Sequence, residues 1–63
     1  MRAFKVSKQS ILTLEEKIIA INTYDVNDLH YILREFENNP RDYEKEVIVA
    51  VINKLFELGV TSL

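Results

Sequence analysis

The most informative part of the sequence is PRDYEKEVIVAVINKLFELG, which runs from Pro40 to Gly59. At 100° per residue its apolar side chains cover an arc of about 260° instead of forming a single stripe. Pro40 suits the first position of a helix, and Gly59 suits the left-handed residue that ends one, with Val60 touching Leu55 in a Schellman motif. The segment therefore predicts one long helix over residues 40–58, apolar around most of its circumference.

The same stretch has an alternative interpretation, because the run from Glu46 to Ile52 is rich in β-branched residues and would serve as a buried strand. The flanking signals favour a helix. They enclose 19 residues, from Pro40 to Leu58, whereas a usual strand has about 5 to 6. We predict a helix, and a strand over residues 47–52 stays open.

A shorter helix is predicted upstream, over residues 14–23. Thr13 and Glu16 have the spacing of a capping box, in which each side chain bonds the backbone of the other residue. The apolar side chains that follow share one face of this helix, and Ile11 would extend that face if the helix began earlier, at Ser7 or Ser10.

A second helix is predicted over residues 26–38, with Asp25 as its N-cap and Pro40 forcing its end. Its apolar residues form an ordinary stripe. The three helices predict an all-α three-helix domain over residues 1–63, with the third helix central. Within residues 1–10, the alternation of Phe4 and Val6 predicts a short strand or a basic N-terminal arm, flexible or swapped onto a neighbouring subunit.

Composition narrows the class of protein further. The chain is 48% hydrophobic and 29% charged, with a net charge of −2, which excludes intrinsic disorder. No apolar run approaches the ~20 residues that span a bilayer, and no segment has the order of a signal peptide, so we expect a cytoplasmic protein. The frequent Ile, Asn, Lys and Glu residues suggest a bacterial or phage origin.

The chain is small for a domain that folds without help. A domain of this size buries only ~60% of its unfolded surface, and it has no Cys for a disulfide and a single His for a metal. A second copy of the chain is therefore the expected means of covering the third helix, as a homodimer or higher oligomer. The residues predicted to build its core and oligomer interface are Tyr43, Val47, Ile48, Val49, Val51, Ile52, Leu55 and Phe56.

The residues that carry catalytic chemistry are few. His30 has no acid three or four residues along its helix to orient it. Asp42 and Glu46, four residues apart, are better explained as solvated helix charges than as cation ligands. The single Gly excludes a glycine-rich phosphate loop. We expect a noncatalytic protein without cofactor or metal.

A protein partner is the expected target, which predicts a small regulatory or adaptor protein. Tyr31 projects away from the apolar stripe of the second helix, so we place a partner face at Tyr31 and Glu35.

The alternative is a nucleic-acid-binding transcriptional regulator. Residues 1–14 carry a charge of +3 from Arg2, Lys5 and Lys8, whereas the rest of the chain carries −5. Paired basic arms in an oligomer could contact phosphates through these three residues. A helix-turn-helix is disfavoured, because the candidate recognition helix from Val26 is acidic.

Overall fold

The computed structural model describes the backbone of residues 2–60 and the side chains of residues 4–60, and this part of the chain is all α, without strands. The helices are α1 (Arg2–Lys5), α2 (Leu14–Ile21), α3 (Val26–Asn38) and α4 (Lys45–Glu57), with a 3-10 turn at Pro40–Asp42 between α3 and α4. The predicted all-α domain with three main helices is confirmed, and residues 47–52 belong to α4 instead of a strand.

Helix α2 begins at the predicted capping box. The backbone amide of Glu16 donates to Thr13 Oγ1 at 3.2 Å, and the amide of Thr13 donates to Glu16 Oε1 at 2.8 Å. The helix ends at Ile21, earlier than the predicted residue 23, because the Thr23 hydroxyl and amide both donate to the Ala20 carbonyl and close a turn.

Helix α3 has the predicted bounds. Asp25 accepts from the amide of Asp28 at 2.9 Å, as an N-cap does, and the helix ends at Asn38, two residues before Pro40. Leu29 and Ile32 lie on its inner face and are fully buried, and Phe36 is partly buried one turn further along.

The predicted third helix over residues 40–58 is wrong in its first turn. Pro40 does begin a helical turn, but that turn is a single 3-10 turn, after which Tyr43 and Glu44 are extended and α4 begins at Lys45. The extended backbone turns the Tyr43 ring into the core, where it packs edge-on against Phe36 with ring centres 6.5 Å apart. Helix α4 is therefore about 20 Å long, not about 28 Å.

The end of α4 is the predicted Schellman motif. Gly59 has a φ of 86°, the amide of Val60 donates to the Leu55 carbonyl at 2.9 Å, and the amide of Gly59 donates to the Phe56 carbonyl at 3.0 Å. A residue with a Cβ would be strained at this φ.

The N-terminal segment is part of the packed domain. Residues 2–5 form a helical turn instead of the predicted short strand, and α1 packs against α3. Val6 is fully buried, and the amide of Lys8 donates to the Asp42 carbonyl at 2.6 Å. Phe4 is exposed while Val6 is buried, so the two side chains do not share the face that a strand would give them.

The hydrophobic core lies where α4 meets α2 and α3. The radius of gyration is 10.5 Å, equal to the roughly 10.6 Å expected of a compact chain of this length. A single chain therefore closes its own core. The buried apolar residues of this core are Val6, Ile21, Tyr24, Leu29, Ile32, Tyr43, Val47, Ile48, Val51 and Leu55.

No described helix has the length and apolar character needed to cross a bilayer.

Candidate interaction surfaces

One exposed apolar surface is a stripe along α4, formed by Val49, Ile52 and Phe56 and named here the α4 stripe; its edge at Ile52 meets the core. Val49 is 48% exposed and Phe56 is 58% exposed, whereas Ile52 is partly buried and packs against the core. Val49 and Phe56 are seven residues apart, so their side chains lie on one line, about 10.5 Å from end to end. The α4 stripe offers a continuous apolar contact to a second surface.

Charged side chains border the α4 stripe. By helical position, Glu46 and Glu57 lie along one edge, and Lys45 lies in line with the stripe at its N-terminal end. Lys54 Nζ lies 3.8 Å from Glu57 Oε2 within the same helix, in an ion pair whose carboxylate is exposed. Charges of both signs therefore surround the α4 stripe.

A second apolar surface is an open groove between the N-terminal segment and α2, named here the N-terminal groove. Its volume is about 630 Å³. The Ser10 hydroxyl accepts from the amide of Leu12 at 3.1 Å, and the amide of Ser10 donates to the Ser7 carbonyl at 3.1 Å, which fold the loop back on itself. The residues lining the groove are Phe4, Lys5, Gln9, Ser10, Ile11, Leu12 and Ala20.

Ile11 is the most exposed apolar side chain of the groove, at 99% exposure. Burying an isoleucine fully is worth roughly 1.5–3 kcal/mol, and none of this is gained within the domain. Ile11 would have joined the apolar face of α2 only if that helix had an earlier start, at Ser7 or Ser10. Helix α2 begins at Leu14, as the capping box at Thr13 predicts, so Ile11 lies outside it.

The predicted oligomer interface is divided by the structure between the core and the surface. The exposed members are Val49 and Phe56, with Ile52 partly exposed beside them. The other predicted members are buried inside the domain: Tyr43, Val47, Ile48, Val51 and Leu55.

The predicted partner face lies on α3. Tyr31 is exposed and Glu35, one turn further along, is partly exposed. Behind this face, burial of the Tyr43 ring raises the pKa of Tyr43 to about 12. The charges of Glu35 and Asp42 add to this shift, with a smaller contribution from Tyr31. The partner face therefore adjoins the buried end of Tyr43.

An ion pair between a buried lysine and a partly exposed glutamate joins α2 to the start of α4, and it was not predicted from the sequence. Lys17 Nζ lies 3.3 Å from Glu44 Oε2, and the side chains are 3% and 34% exposed. Lys17 shares the inner face of α2 with Leu14 and Ile21, so its position among apolar residues was the available signal. The pair fixes the extended residue Glu44, just before α4, against α2.

The remaining candidate residues are dispersed. Within residues 4–60, no three His, Cys, Asp or Glu side chains are grouped closely enough to hold a metal ion. Asp42 and Glu46 are separated by the extended residues before α4, so they lack the spacing that two residues four apart on one helix would have. Lys5 and Lys8 are exposed, and the side chain of Arg2 lies outside the described residues.

The chain was compared with known proteins by sequence and by structure. No protein-family model, no curated protein and no solved structure matches it.

Proposed function

We propose that this chain is a noncatalytic cytoplasmic regulatory or adaptor protein that acts by binding proteins, including copies of itself. The observation that carries the proposal is the gathering of exposed apolar side chains into the α4 stripe and the N-terminal groove, on a domain that already has a closed core. Bacterial or phage origin belongs to the same proposal and rests on composition alone.

Single exposed apolar residues are normal on protein surfaces, so their grouping is what matters. Phe56 and Val49 stand in line on one helix, and Phe4 and Ile11 line one groove. Apolar surface costs free energy in water at about 25 cal/mol per Å². Because a compact core leaves these side chains outside, burial against another protein is the route by which that cost is removed.

Self-association is tested by measuring mass against concentration with sedimentation velocity or multi-angle light scattering. We expect the mass of the wild type to rise with concentration and the Phe56→Lys variant to stay monomeric. Ile19→Lys is the matched control, because Ile19 is 65% exposed on α2 and does not line the groove. A wild type that remains monomeric at millimolar concentration would refute self-association.

A protein of another kind is expected to bind the partner face of Tyr31 and Glu35. Exposed tyrosines are enriched at interfaces because the ring offers a large contact area and a hydroxyl for hydrogen bonding. In affinity capture from the source cells, Tyr31→Ser should lose a partner that Phe56→Lys retains. If both variants retain every partner of the wild type, this face is not the binding surface.

Nucleic-acid binding remains the second candidate because Lys5 and Lys8 are both exposed on the basic segment. Phosphate contacts by these residues predict binding to duplex DNA that weakens steeply with salt and is lost when Arg2, Lys5 and Lys8 are replaced by Ala. Absence of any duplex binding by the wild type at low salt would eliminate this candidate.

A further inference from the structure

The exposed apolar surface of the N-terminal segment differs from the α4 stripe in its charges. Lys5 is the one charged side chain among the described residues that line the N-terminal groove, and Lys8 is exposed three residues further on. Within residues 4–60, neither ammonium forms an ion pair. The N-terminal segment therefore presents apolar side chains together with unpaired positive charge, whereas charges of both signs surround the α4 stripe.

Ile11 projects from the rim of this groove, on a loop that is held in place. Its side chain is 99% exposed. On either side of it, the amide of Ser10 donates to the Ser7 carbonyl and the amide of Leu12 donates to the Ser10 hydroxyl. The fully buried Val6 anchors the segment to the core. Because the loop is already ordered, little conformational entropy is lost when Ile11 is buried against another surface.

We propose that the N-terminal segment docks the domain onto the surface of a lipid bilayer that contains anionic headgroups. Ile11 and Phe4 enter the boundary between headgroups and acyl chains, while Lys5 and Lys8 contact the headgroups. The contact is peripheral and goes beyond the protein binding proposed above, for which the α4 stripe and the partner face stay available.

A bilayer surface matches both parts of the segment at once. It offers negative charge in its headgroup layer and apolar chains directly below that layer. Phe4, Lys5 and Ile11 line one groove, so they lie within reach of one flat surface. The phosphate backbone of duplex DNA would match the two lysines but offers no apolar layer to Ile11. The combination of cations and projecting apolar side chains therefore favours a lipid surface.

The acidic remainder of the chain opposes this attraction only where it lies close to the segment. The nearest acids in the sequence are Glu15 and Glu16, and Glu16 Oε1 already accepts from a backbone amide. Asp42 lies beside Lys8, because its carbonyl accepts from the Lys8 amide. The domain measures 30 × 23 × 19 Å, whereas exposed charges interact over about 8 Å at physiological salt. Acids on the far side of the domain are therefore screened from the bilayer.

Tryptophan fluorescence tests which surface meets the bilayer. The chain contains no Trp, so a single introduced Trp reports on one position. The emission of Ile11→Trp should shift to shorter wavelength with vesicles of equal parts phosphatidylglycerol and phosphatidylcholine, and not with vesicles of phosphatidylcholine alone. Phe56→Trp, at an exposed position of the α4 stripe, is the control and should respond to neither vesicle. An equal shift at both positions would overturn the inference.

Co-sedimentation with the same vesicles measures how strongly each variant partitions onto the bilayer. The double variant Lys5→Ala, Lys8→Ala should lower the partition coefficient roughly 30-fold, because each lysine near an anionic surface contributes about 1 kcal/mol. Ile11→Ser should lower it on the order of tenfold. Lys45→Ala removes an exposed lysine of α4 and should leave it unchanged. Circular dichroism checks that each variant folds.

Three results of co-sedimentation would also contradict the inference. If the wild type does not bind anionic vesicles at low salt, the segment is not a lipid-binding surface. If Ile11→Ser binds as tightly as the wild type, the apolar side chain does not enter the bilayer. If the wild type binds duplex DNA but not the vesicles, the lysines serve nucleic-acid binding instead. Self-association is measured without lipid, so the proposed function stands or fails separately.

Discussion

The ion pair between Lys17 and Glu44 predicts an asymmetric response to mutation. Replacing Glu44 with Gln leaves the Lys17 ammonium, which is 3% exposed, without its counter-charge. Removing one partner of a fully buried pair costs about 3–5 kcal/mol. Glu44 is 34% exposed and water reaches it, so we expect a smaller loss, about 2 kcal/mol, from Glu44→Gln.

The opposite substitution, Lys17→Met, should change the free energy of unfolding by less than about 1 kcal/mol. Methionine keeps an apolar side chain of similar length among the core residues of α2, and the Glu44 carboxylate can be hydrated where it is exposed. Stability of a 63-residue domain is typically about 3–9 kcal/mol, so a 2 kcal/mol loss is readily measured.

Urea unfolding followed by circular dichroism is the assay. With an m-value near 1 kcal/mol/M, Glu44→Gln should lower the midpoint by about 2 M. Glu44 also stands at the N-cap of α4, where a negative charge is worth about 0.3–1 kcal/mol, although its side chain makes no capping hydrogen bond. Glu46→Gln, in the exposed first turn of the same helix, measures that charge effect alone. The reasoning is refuted if Glu44→Gln costs no more than Lys17→Met.

Three further predictions concern stability. The pKa of Tyr43 is about 12 in the folded chain and about 10 when unfolded. The unfolded state loses its proton first, so stability should fall from pH 10 to 12, by up to about 3 kcal/mol. In urea unfolding, the midpoint of the Tyr43→Phe variant should fall less between pH 10 and pH 12 than the midpoint of the wild type. Gly59→Ala should cost about 1 kcal/mol and lower the Tm by about 4–8 °C, because alanine is strained at a φ of 86°; an unchanged Tm would contradict the Schellman assignment. Val6→Ala should cost about 2 kcal/mol in urea and Val49→Ala under 1 kcal/mol, since only Val6 is fully buried; equal losses would contradict docking of the N-terminal segment.

The ends of helices were predictable where the signal is local. The capping box at Thr13, the N-cap at Asp25 and the left-handed stop at Gly59 each involve residues within a few positions of one another, and all three are present in the structure. The start of α4 was not predictable in this way. The extended residues Tyr43 and Glu44, which separate the 3-10 turn from α4, are held by contacts between separate helices. Tyr43 packs against Phe36, and Glu44 pairs with Lys17.

The candidate surfaces were predictable only in part. The excess of apolar residues around the third predicted helix indicated that some of them would lack cover, and Val49 and Phe56 do lack it. Helical periodicity could not say which side of that arc would face α2 and α3. The groove was missed, because Ile11 fits the periodicity of α2 although the capping box excludes it from the helix.

Local signals were enough to predict the all-α class, the bounds of α3, the start of α2 and the end of α4, because helix propensity, capping and proline geometry act over a few residues. Packing between the helices set the start of α4 at Lys45, brought Val6 into the core, and left Val49, Phe56 and Ile11 outside it. These outcomes depend on which helix faces pack together, and packing joins residues that are distant in the chain and compete for the same buried space.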